Sequence, residues 1–245
     1  MLVERIKSDW EDTKKLFRSV PSIVMVLFTL SVIFMNLFAN KEIRTGSSYI
    51  ALDCGFLLSW LVFLCMDMVT KRFGPKAAVK MTVAVALINF AMAGLLAFVA
   101  AIPGNWGEYY TYENQIVNDA LNSTIGGTWY ILLGSMIAFV VSGIVNALVN
   151  HGIGKHLKKD NFFAYAIRTY ASTMIGQFVD NMCFALIVSR NFFGWTLVQC
   201  VVCSLIGAVM ELLCEIIFSP IGYSVCKKWE KENVGSEYIA LQKVA

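Results

Sequence analysis

The chain has 245 residues, of which 58% are hydrophobic and only 15% are charged. Soluble domains are about 45–50% apolar and about 25% charged, so this composition excludes an ordinary water-soluble globular protein. A net charge of +3 is too small for a nucleic-acid-binding protein, and four prolines and seventeen glycines exclude a disordered or fibrous chain.

Six apolar stretches are each long enough to cross a bilayer as a helix, which takes about 20 residues. They cover residues 20–39, 50–70, 81–102, 128–150, 162–188 and 194–219. Strands of a membrane barrel would be shorter and would alternate apolar with polar residues, whereas these stretches are continuous. The predicted fold class is therefore an all-α integral membrane protein, a bundle of six transmembrane helices.

Charge outside the stretches predicts the organisation and orientation of the chain. A charged N-terminal segment (1–19) without a cleavage site is interpreted as an amphipathic surface segment, followed by a six-helix membrane domain (20–225) and a tail (226–245). Sixteen of the twenty basic residues fall on the side of the two termini and three on the other side. Because Lys and Arg concentrate in cytoplasmic loops, both termini are predicted to be cytoplasmic.

The connection at 103–127 is predicted to lie on the outer side. It has no basic residue, and its acidic and aromatic residues suit the outer membrane interface. They are Glu108, Glu113, Asp119, Trp106, Tyr109, Tyr110 and Tyr112.

Cysteine and histidine do not form a recognisable metal or redox motif. Cys200 and Cys203 are the only close cysteine pair, and no histidine is near them, so packing residues are favoured over a metal site. His151 and His156 fall in the basic fourth connection and are interpreted as solvated loop residues. We expect neither a cofactor nor a metal.

Ionisable residues at membrane depth are the candidates for function, because an unpaired charge there costs about 2.5–3.5 kcal/mol on insertion scales. Asp53 lies at the outer end of its stretch, where a structural role is equally compatible. Asp67 lies within a turn of Lys71, which favours a helix-end ion pair. Arg168 can extend to the inner surface, whereas Asp180 has no basic neighbour within a turn.

A polar stripe in the fifth stretch surrounds Asp180. Ser172 or Thr173, Gly176, Gln177 and Asp180 recur at three- and four-residue spacing and so share a helix face. Close helix packing explains the small residues, but it gives the carboxylate and the amide no role. We therefore favour a cavity lined by this stripe.

Glu211 and Glu215 in the sixth stretch also share a face, and they repel unless a cation, a proton or a donor-rich ligand is present. Arg168 is the expected partner of one of them, which leaves the other for a ligand or a proton. Asn89 and Asn146 add neutral donors and acceptors. Together these residues predict a pocket for a small, flat, hydrogen-bonding solute.

Four motifs follow one another between about residues 30 and 225. They are Asn36-Leu-Phe-Ala-Asn40-Lys41 with Asp53-Cys-Gly55, Asp67-Met-Val-Thr70-Lys71-Arg72-Phe73-Gly74, Arg168-Thr-Tyr-Ala-Ser172-Thr173-Met-Ile-Gly176-Gln177-Phe-Val-Asp180, and Glu215-x-x-x-Ser219-Pro220. In order and spacing this set resembles the queuosine precursor transporters, a six-span group also called the vitamin uptake transporter (VUT) family. The third motif is the most specific.

The resemblance implies uptake of 7-deazaguanine compounds, namely the nitrile or aminomethyl precursor or queuine, across the bacterial cytoplasmic membrane. A carboxylate such as Asp180 can accept the paired N–H groups of a guanine-type edge, with Gln177 at the adjacent carbonyl, and Glu211 or Glu215 suits an amine. Phe184 or Trp60 is a candidate to stack on the ring. The predicted substrate-binding residues are Asp180, Gln177, Glu215, Glu211, Arg168, Asn146, Asp67, Asn36, Ser172 and Thr173.

Two positions depart from the family pattern, since many members carry Glu at Lys71 and Lys at Glu211; a changed substrate preference is one consequence. The transport mechanism is left open between facilitated and proton-coupled, and so is a homo-oligomeric state. An alternative is a substrate-capture subunit that works with an external ATPase, because the chain has no Walker motif. An intramembrane enzyme is disfavoured because its metal and nucleophile motifs are missing from the sequence.

Overall fold

The computed structural model describes residues 2–43, 52–107, 115–126, 129–157, 161–192 and 194–244. This part of the chain is almost entirely helical. In chain order its elements are α1 (Leu2–Ser19), α2 (Ser22–Phe38), β1 (Glu42–Ile43), β2 (Leu52–Asp53), α3 (Phe56–Phe73), α4 (Pro75–Ala101), α5 (Gln115–Ile125), α6 (Trp129–His156), α7 (Phe162–Phe184), α8 (Leu197–Lys231) and α9 (Ser236–Val244). After α7 come a π-helical turn, Ala185–Ser189, and one further α-helical turn, Arg190–Phe192.

Four of the described helices are long and apolar enough to cross a membrane, namely α4, α6, α7 with its π turn, and α8. A fifth span is counted if residues 9–19 of α1 and all of α2, which meet at a 102° bend, are taken together. Helix α2 is only 17 residues long, and α3 carries Asp67, Lys71 and Arg72 within its 18 residues. The helical membrane fold is confirmed, and the count of six spans stays a prediction.

Large apolar side chains cover the outside of the helices. On α4, Leu87, Phe90 and Phe98 are each more than half exposed. Such a continuous apolar surface is unfavourable in water but matches the hydrocarbon of a bilayer.

Several boundaries differ from those expected from composition. The second helix starts at Phe56 rather than near residue 50, because the preceding residues 52–53 pair antiparallel with 42–43. Helix α6 continues through His151 to His156, so both histidines are helical and the loop assignment is wrong. Helix α8 runs without a break to Lys231, past the expected boundary at 225.

The outer connection is also not a simple loop, because it contains α5, which packs on α4. Trp106 donates its indole N–H to Asn122 Oδ1 at 2.6 Å and so ties the connection to α5. The predicted aromatic and acidic residues at 108–113 lie outside the described residues.

Local signals in the sequence explain where the functional helices begin. Asn161 caps α7 by accepting a hydrogen bond from the Ala164 N–H, and Thr196 with Gln199 forms a capping box at the start of α8. Within α8, Pro220 lacks the N–H that would bond to the carbonyl of Ile216, and Ser219 Oγ donates to that carbonyl at 3.2 Å instead.

Helix α7 packs between α6 and α8, and α3 contacts α2, α4, α6 and α8. Because α3 and α7 both run through the middle of the bundle, many of their polar side chains are buried, among them Asp67, Thr173 and Gln177.

The N-terminal and C-terminal helices pack against each other at the end of the bundle where α3 ends. Tyr238 of α9 is fully buried, with its ring edge-on to Phe73 at 6.3 Å between centroids. Arg72 donates two hydrogen bonds, of 2.8 and 3.0 Å, to the carbonyl of Val234. The predicted surface segment is therefore helical and is partly docked on the C-terminal segment.

Candidate functional site

The polar residues of α7 form two neighbouring rows rather than the single stripe expected. The first row, Ser172, Gly176 and Asp180, faces α6, where Asn150, Asn146 and Ser142 lie opposite. The second row, which we call the α8-facing row, consists of Tyr165, Thr169, Thr173, Gln177 and Asn181 at four-residue spacing. It faces α3 and α8 through Thr173 and Asn181.

Asp67 of α3 is the centre of one polar cluster, which we call the Asp67 cluster. Its Oδ1 accepts hydrogen bonds from Asn150 Nδ2 at 2.7 Å, Asn146 Nδ2 at 2.9 Å and Ser172 Oγ at 3.4 Å. Its Oδ2 accepts one from Thr173 Oγ1 at 3.4 Å. Asp67 is fully buried and its four hydrogen-bond donors are neutral side chains, so it is the centre of a polar cluster rather than the helix-end ion pair that was expected.

Lys71, the expected partner of Asp67, points elsewhere. Its ammonium lies 3.9 Å from Glu230 Oε1 and over the ring of Tyr165 at 5.8 Å. The departure from the family pattern at Lys71 therefore lies beside the Asp67 cluster rather than in it.

Arg168 was expected to pair with one of the two glutamates of α8, but its hydrogen-bond partner among the described residues is Asn150. Its Nε and Nη2 donate to Asn150 Oδ1 at 3.0 and 2.5 Å. Asn150 thus accepts from the guanidinium with its oxygen and donates to Asp67 with its nitrogen. The positive charge reaches the aspartate through a neutral amide, which stabilises the carboxylate without a direct ion pair.

Glu215 of α8 completes the Asp67 cluster. It is fully buried, and its carboxyl group interacts directly with Asp67 and Thr173. Among the described residues, neither carboxyl oxygen has a hydrogen bond of standard geometry. Two carboxyl groups in such contact cannot both carry a charge unless a cation lies between them.

Glu211, one turn away on α8, belongs to a separate polar group, which we call the Glu211 cluster. Ser59 Oγ donates to its Oε1 at 2.5 Å, and Asn181 Nδ2 donates to its Oε2 at 3.4 Å. The two glutamates share a face of α8 as predicted, and each is buried with a different set of partners.

Gln177 lies between the two clusters, one turn from Thr173 and one turn from Asn181 on the α8-facing row. It is fully buried, and neither its Nε2 nor its Oε1 has a hydrogen-bond partner among the described residues. A buried amide without partners costs about 1–3 kcal/mol, so a side chain placed this way favours a ligand.

The neighbouring Gly176 is explained by close packing rather than by a cavity. A Cβ at this position would lie 2.7 Å from Phe63 Cε1 and 3.0 Å from Asn146 Cβ. The prediction of a cavity is therefore wrong at Gly176, where the backbone of α7 approaches α3 and α6 closely.

The remaining predicted residues are dispersed. Asp180 is half-buried, and its Oδ1 accepts from Ser142 Oγ at 2.7 Å. Asn36 is buried on α2, where Ser135 Oγ donates to its Oδ1, away from the two clusters. Trp60 stacks on Phe218, with 4.1 Å between ring centroids. The side chain of Asp53 lies outside those the structure describes.

The sequence interpretation missed Asn150 and Ser142 on α6 and Ser59 and Asn181 near Glu211. One signal could have found the first pair. Ser142, Asn146 and Asn150 repeat every four residues on α6, at the same spacing as Ser172, Gly176 and Asp180 on α7. Among the described residues, no group of three or more His, Cys, Asp or Glu side chains could hold a metal ion.

Comparison with known proteins gives one match. A family model described as "Putative vitamin uptake transporter" matches residues 53–225, which include both polar clusters, Gln177 and Asp180. No curated protein and no solved structure matches the chain.

Proposed function

We propose that this chain, which belongs to the vitamin uptake transporter family, imports a queuosine precursor of the 7-deazaguanine class across a bacterial cytoplasmic membrane. The observation that carries the proposal is the buried amide of Gln177, which has no partner of its own among the described residues and lies between two clusters that each contain a carboxyl group. A guanine-type base has adjacent donors and acceptors on one edge that an amide and a carboxylate complement.

In the proposed complex, Gln177 and Asp180 bind the base together, because they lie three residues apart on neighbouring rows of α7. Gln177 donates from Nε2 to the ring carbonyl, and the Asp180 carboxylate accepts from the adjacent N–H and amino groups. Phe63, buried against Gly176, supplies an aromatic wall at the same level of the bundle.

Glu211 is the proposed counter-ion for the amine of an aminomethyl precursor. Ser59 and Asn181 donate hydrogen bonds to its carboxyl group, and a carboxylate held in this way can form a charge-assisted hydrogen bond with a cationic substrate group. The family pattern that the sequence resembles has lysine at this position, so we expect a glutamate to favour the aminomethyl compound or queuine over the uncharged nitrile.

The test is binding and counterflow with the purified protein in liposomes. We expect saturable counterflow of labelled 7-aminomethyl-7-deazaguanine, competed by unlabelled queuine and less by the nitrile precursor. Absence of both binding and counterflow for all three compounds would contradict the proposal. Binding without uptake, restored by an added ATPase module, would replace it with the substrate-capture alternative.

Replacing Gln177 tests the site within this function. We expect Gln177→Leu to weaken binding of the aminomethyl compound by about 10-fold or more, because hydrogen bonds with a partly charged ligand contribute about 1.5–3 kcal/mol. The control is Gln115→Leu, an exposed amide on α5. Calorimetry or equilibrium dialysis measures the change, and equal affinities for the two variants would remove Gln177 from the site.

A further inference from the structure

We propose that Glu215 binds and releases one proton in each transport cycle, and that hydroxyl groups of the α8-facing row of α7 conduct the proton between Glu215 and the end of the bundle at Lys71. This inference rests on the proposed transport function, since it assigns that function an energy source.

The first step of the argument compares the two carboxyl groups. Asp67 accepts four hydrogen bonds, and through Asn150 it receives the charge of Arg168. Glu215 has no comparable donors among the described residues, although it is fully buried. Asp67 is therefore built to remain a carboxylate, while Glu215 is the member of the pair that holds a proton.

The charged and titratable groups around Glu215 agree with this assignment. On α3 it meets Asp67, and on α7 Tyr165 is close enough to interact with its charge, whereas the guanidinium of Arg168 is held by Asn150. On its own helix, Glu211 lies one turn away and has its own donors. Helix α6 contributes the neutral amides Asn146 and Asn150 to the cluster. We find no cationic side chain among the described residues bonded to Glu215, so a proton is the cation that can neutralise it.

The second, independent observation is the row of hydroxyls that leads away from Glu215. Thr173, Thr169 and Tyr165 are fully or almost fully buried and follow one another at four-residue spacing, a rise of about 6 Å per step. Thr169 Oγ1 and Tyr165 Oη have no hydrogen bond of standard geometry within the described chain. Hydroxyl groups both donate and accept, and single waters can bridge gaps of this size, so the row can relay a proton.

The row of hydroxyl groups ends at Tyr165, next to Lys71 at the charged end of the bundle. The ring of Tyr165 lies under the ammonium of Lys71, and Gly222 approaches its hydroxyl so closely that a Cβ there would lie 2.8 Å away. In the proposed step, the Glu215 carboxylate takes up one proton on one side of the membrane, forming an O–H bond. On release this bond breaks, and each hydroxyl or bridging water of the row accepts one proton and passes on another, so every hydroxyl ends with the O–H bond count with which it began.

The experiment uses the full-length protein in liposomes with a trapped pH-sensitive dye and with the membrane potential clamped by potassium and valinomycin. For one proton per substrate, one pH unit across the membrane is equivalent to about 10-fold accumulation of 7-aminomethyl-7-deazaguanine, since it corresponds to about 1.4 kcal/mol. We expect that accumulation in the wild type, together with a dye signal when substrate is added.

Glu215→Gln should abolish both the accumulation and the dye signal, and its remaining counterflow should no longer vary with pH. Thr169→Val should lower gradient-driven uptake more than it lowers counterflow. The matched controls are Glu232→Gln, an exposed acidic residue at the end of α8, and Thr82→Val, a fully buried threonine on α4 that bonds to Met66 Sδ.

The outcomes separate the two proposals. Wild-type counterflow without any effect of the pH gradient would overturn the proton site and leave the transport function intact, as would accumulation driven by a sodium gradient alone. Accumulation that is driven by the pH gradient and persists in Glu215→Gln would also overturn the proton site. A wild type with neither binding nor counterflow contradicts the transport function instead.

Discussion

At the scale of single residues, Asn150 connects opposite charges that do not touch. It accepts from Arg168 and donates to Asp67 and Ser172. Asn146, Ser172 and Thr173 also donate to Asp67, but Asn150 is the residue that joins Asp67 to Arg168, so its amide is the key structural group of the Asp67 cluster.

We expect Asn150→Ala to destabilise the protein strongly, because each lost hydrogen bond to a charged group costs about 1.5–3 kcal/mol. Thermal unfolding in detergent, followed by size-exclusion fluorescence, measures this loss. Asn191→Ala, at an exposed asparagine beyond the π turn, should have little effect. A melting temperature equal to that of the wild type would show that Arg168 and Asp67 do not depend on the bridge.

Gly176→Ala tests the close approach of α7 to its neighbours. The added methyl group collides with Phe63 and Asn146, and overpacking of this kind costs about 1–3 kcal/mol. The control is Gly152→Ala on α6, where nothing lies within 4 Å of an added Cβ and replacing a helical glycine is favourable. The same thermal assay should show opposite shifts, and a Phe63→Leu change should partly rescue Gly176→Ala.

At the scale of the elements, the sequence predicts the helices well and their ends less well. The apolar stretches define where α4, α6, α7 and α8 lie because burial in lipid requires uninterrupted hydrophobicity. A helix does not have to end where its apolar stretch ends, however, so α6 and α8 continue into polar residues that were expected to be loop or tail. The short β pair before α3 has no periodicity long enough to be recognised.

In the site, the sequence likewise predicts which residues share a helix face but not which residues they contact on other helices. Four-residue spacing correctly placed Glu211 and Glu215 on one face of α8. The spacing could not reveal that Arg168 bonds to Asn150, because which helices are neighbours, and at what level, is decided by tertiary packing. The burial of Asp67 likewise depends on α6, which is distant in sequence.

Docking of α9 on α1 and α3 predicts a pH dependence outside the membrane. Burial, with a smaller effect of Asp12 and Asp9, raises the pKa of Tyr238 from its ordinary value of 10 to about 12. The docked state therefore prefers the neutral phenol, and this contribution is complete below pH 10 and is lost as the pH rises from 10 towards 12.

Limited proteolysis of the C-terminal segment across this pH range measures the undocking. Tyr238→Phe should remain docked and lose the pH dependence, because it keeps the ring packed on Phe73 without an ionisable group. Equal pH dependence in the variant and the wild type would assign the effect to another group.

At the scale of the whole molecule, the contact between α1 and α9 bears on topology. Ser19 and Gly235 lie against each other, and Tyr238 is close to Asp9 and Asp12. Two ends of a chain that touch lie on the same side of the membrane, so the number of crossings between them is even. The predicted six crossings, by α2, α3, α4, α6, α7 and α8, satisfy this condition.

Reporter fusions test this topology. We expect a C-terminal green fluorescent protein fusion to fluoresce and a C-terminal alkaline phosphatase fusion to be inactive, because the basic residues predict a cytoplasmic terminus. The control is a phosphatase fusion within the connection that contains α5, which should be active. An active phosphatase at the C terminus would reverse the predicted orientation.

Pro220 gives α8 a mechanical property that its length conceals. Because Pro220 has no N–H, the main-chain hydrogen bond from position 220 to Ile216 is missing, and bending α8 at this turn costs less than bending it elsewhere. Pro220 divides α8 into a part that carries Glu211 and Glu215 and a part that leads to Lys231 and α9. Glu215 lies five residues before Pro220, so any bend at this turn would change the surroundings of the side chain to which the proton is assigned.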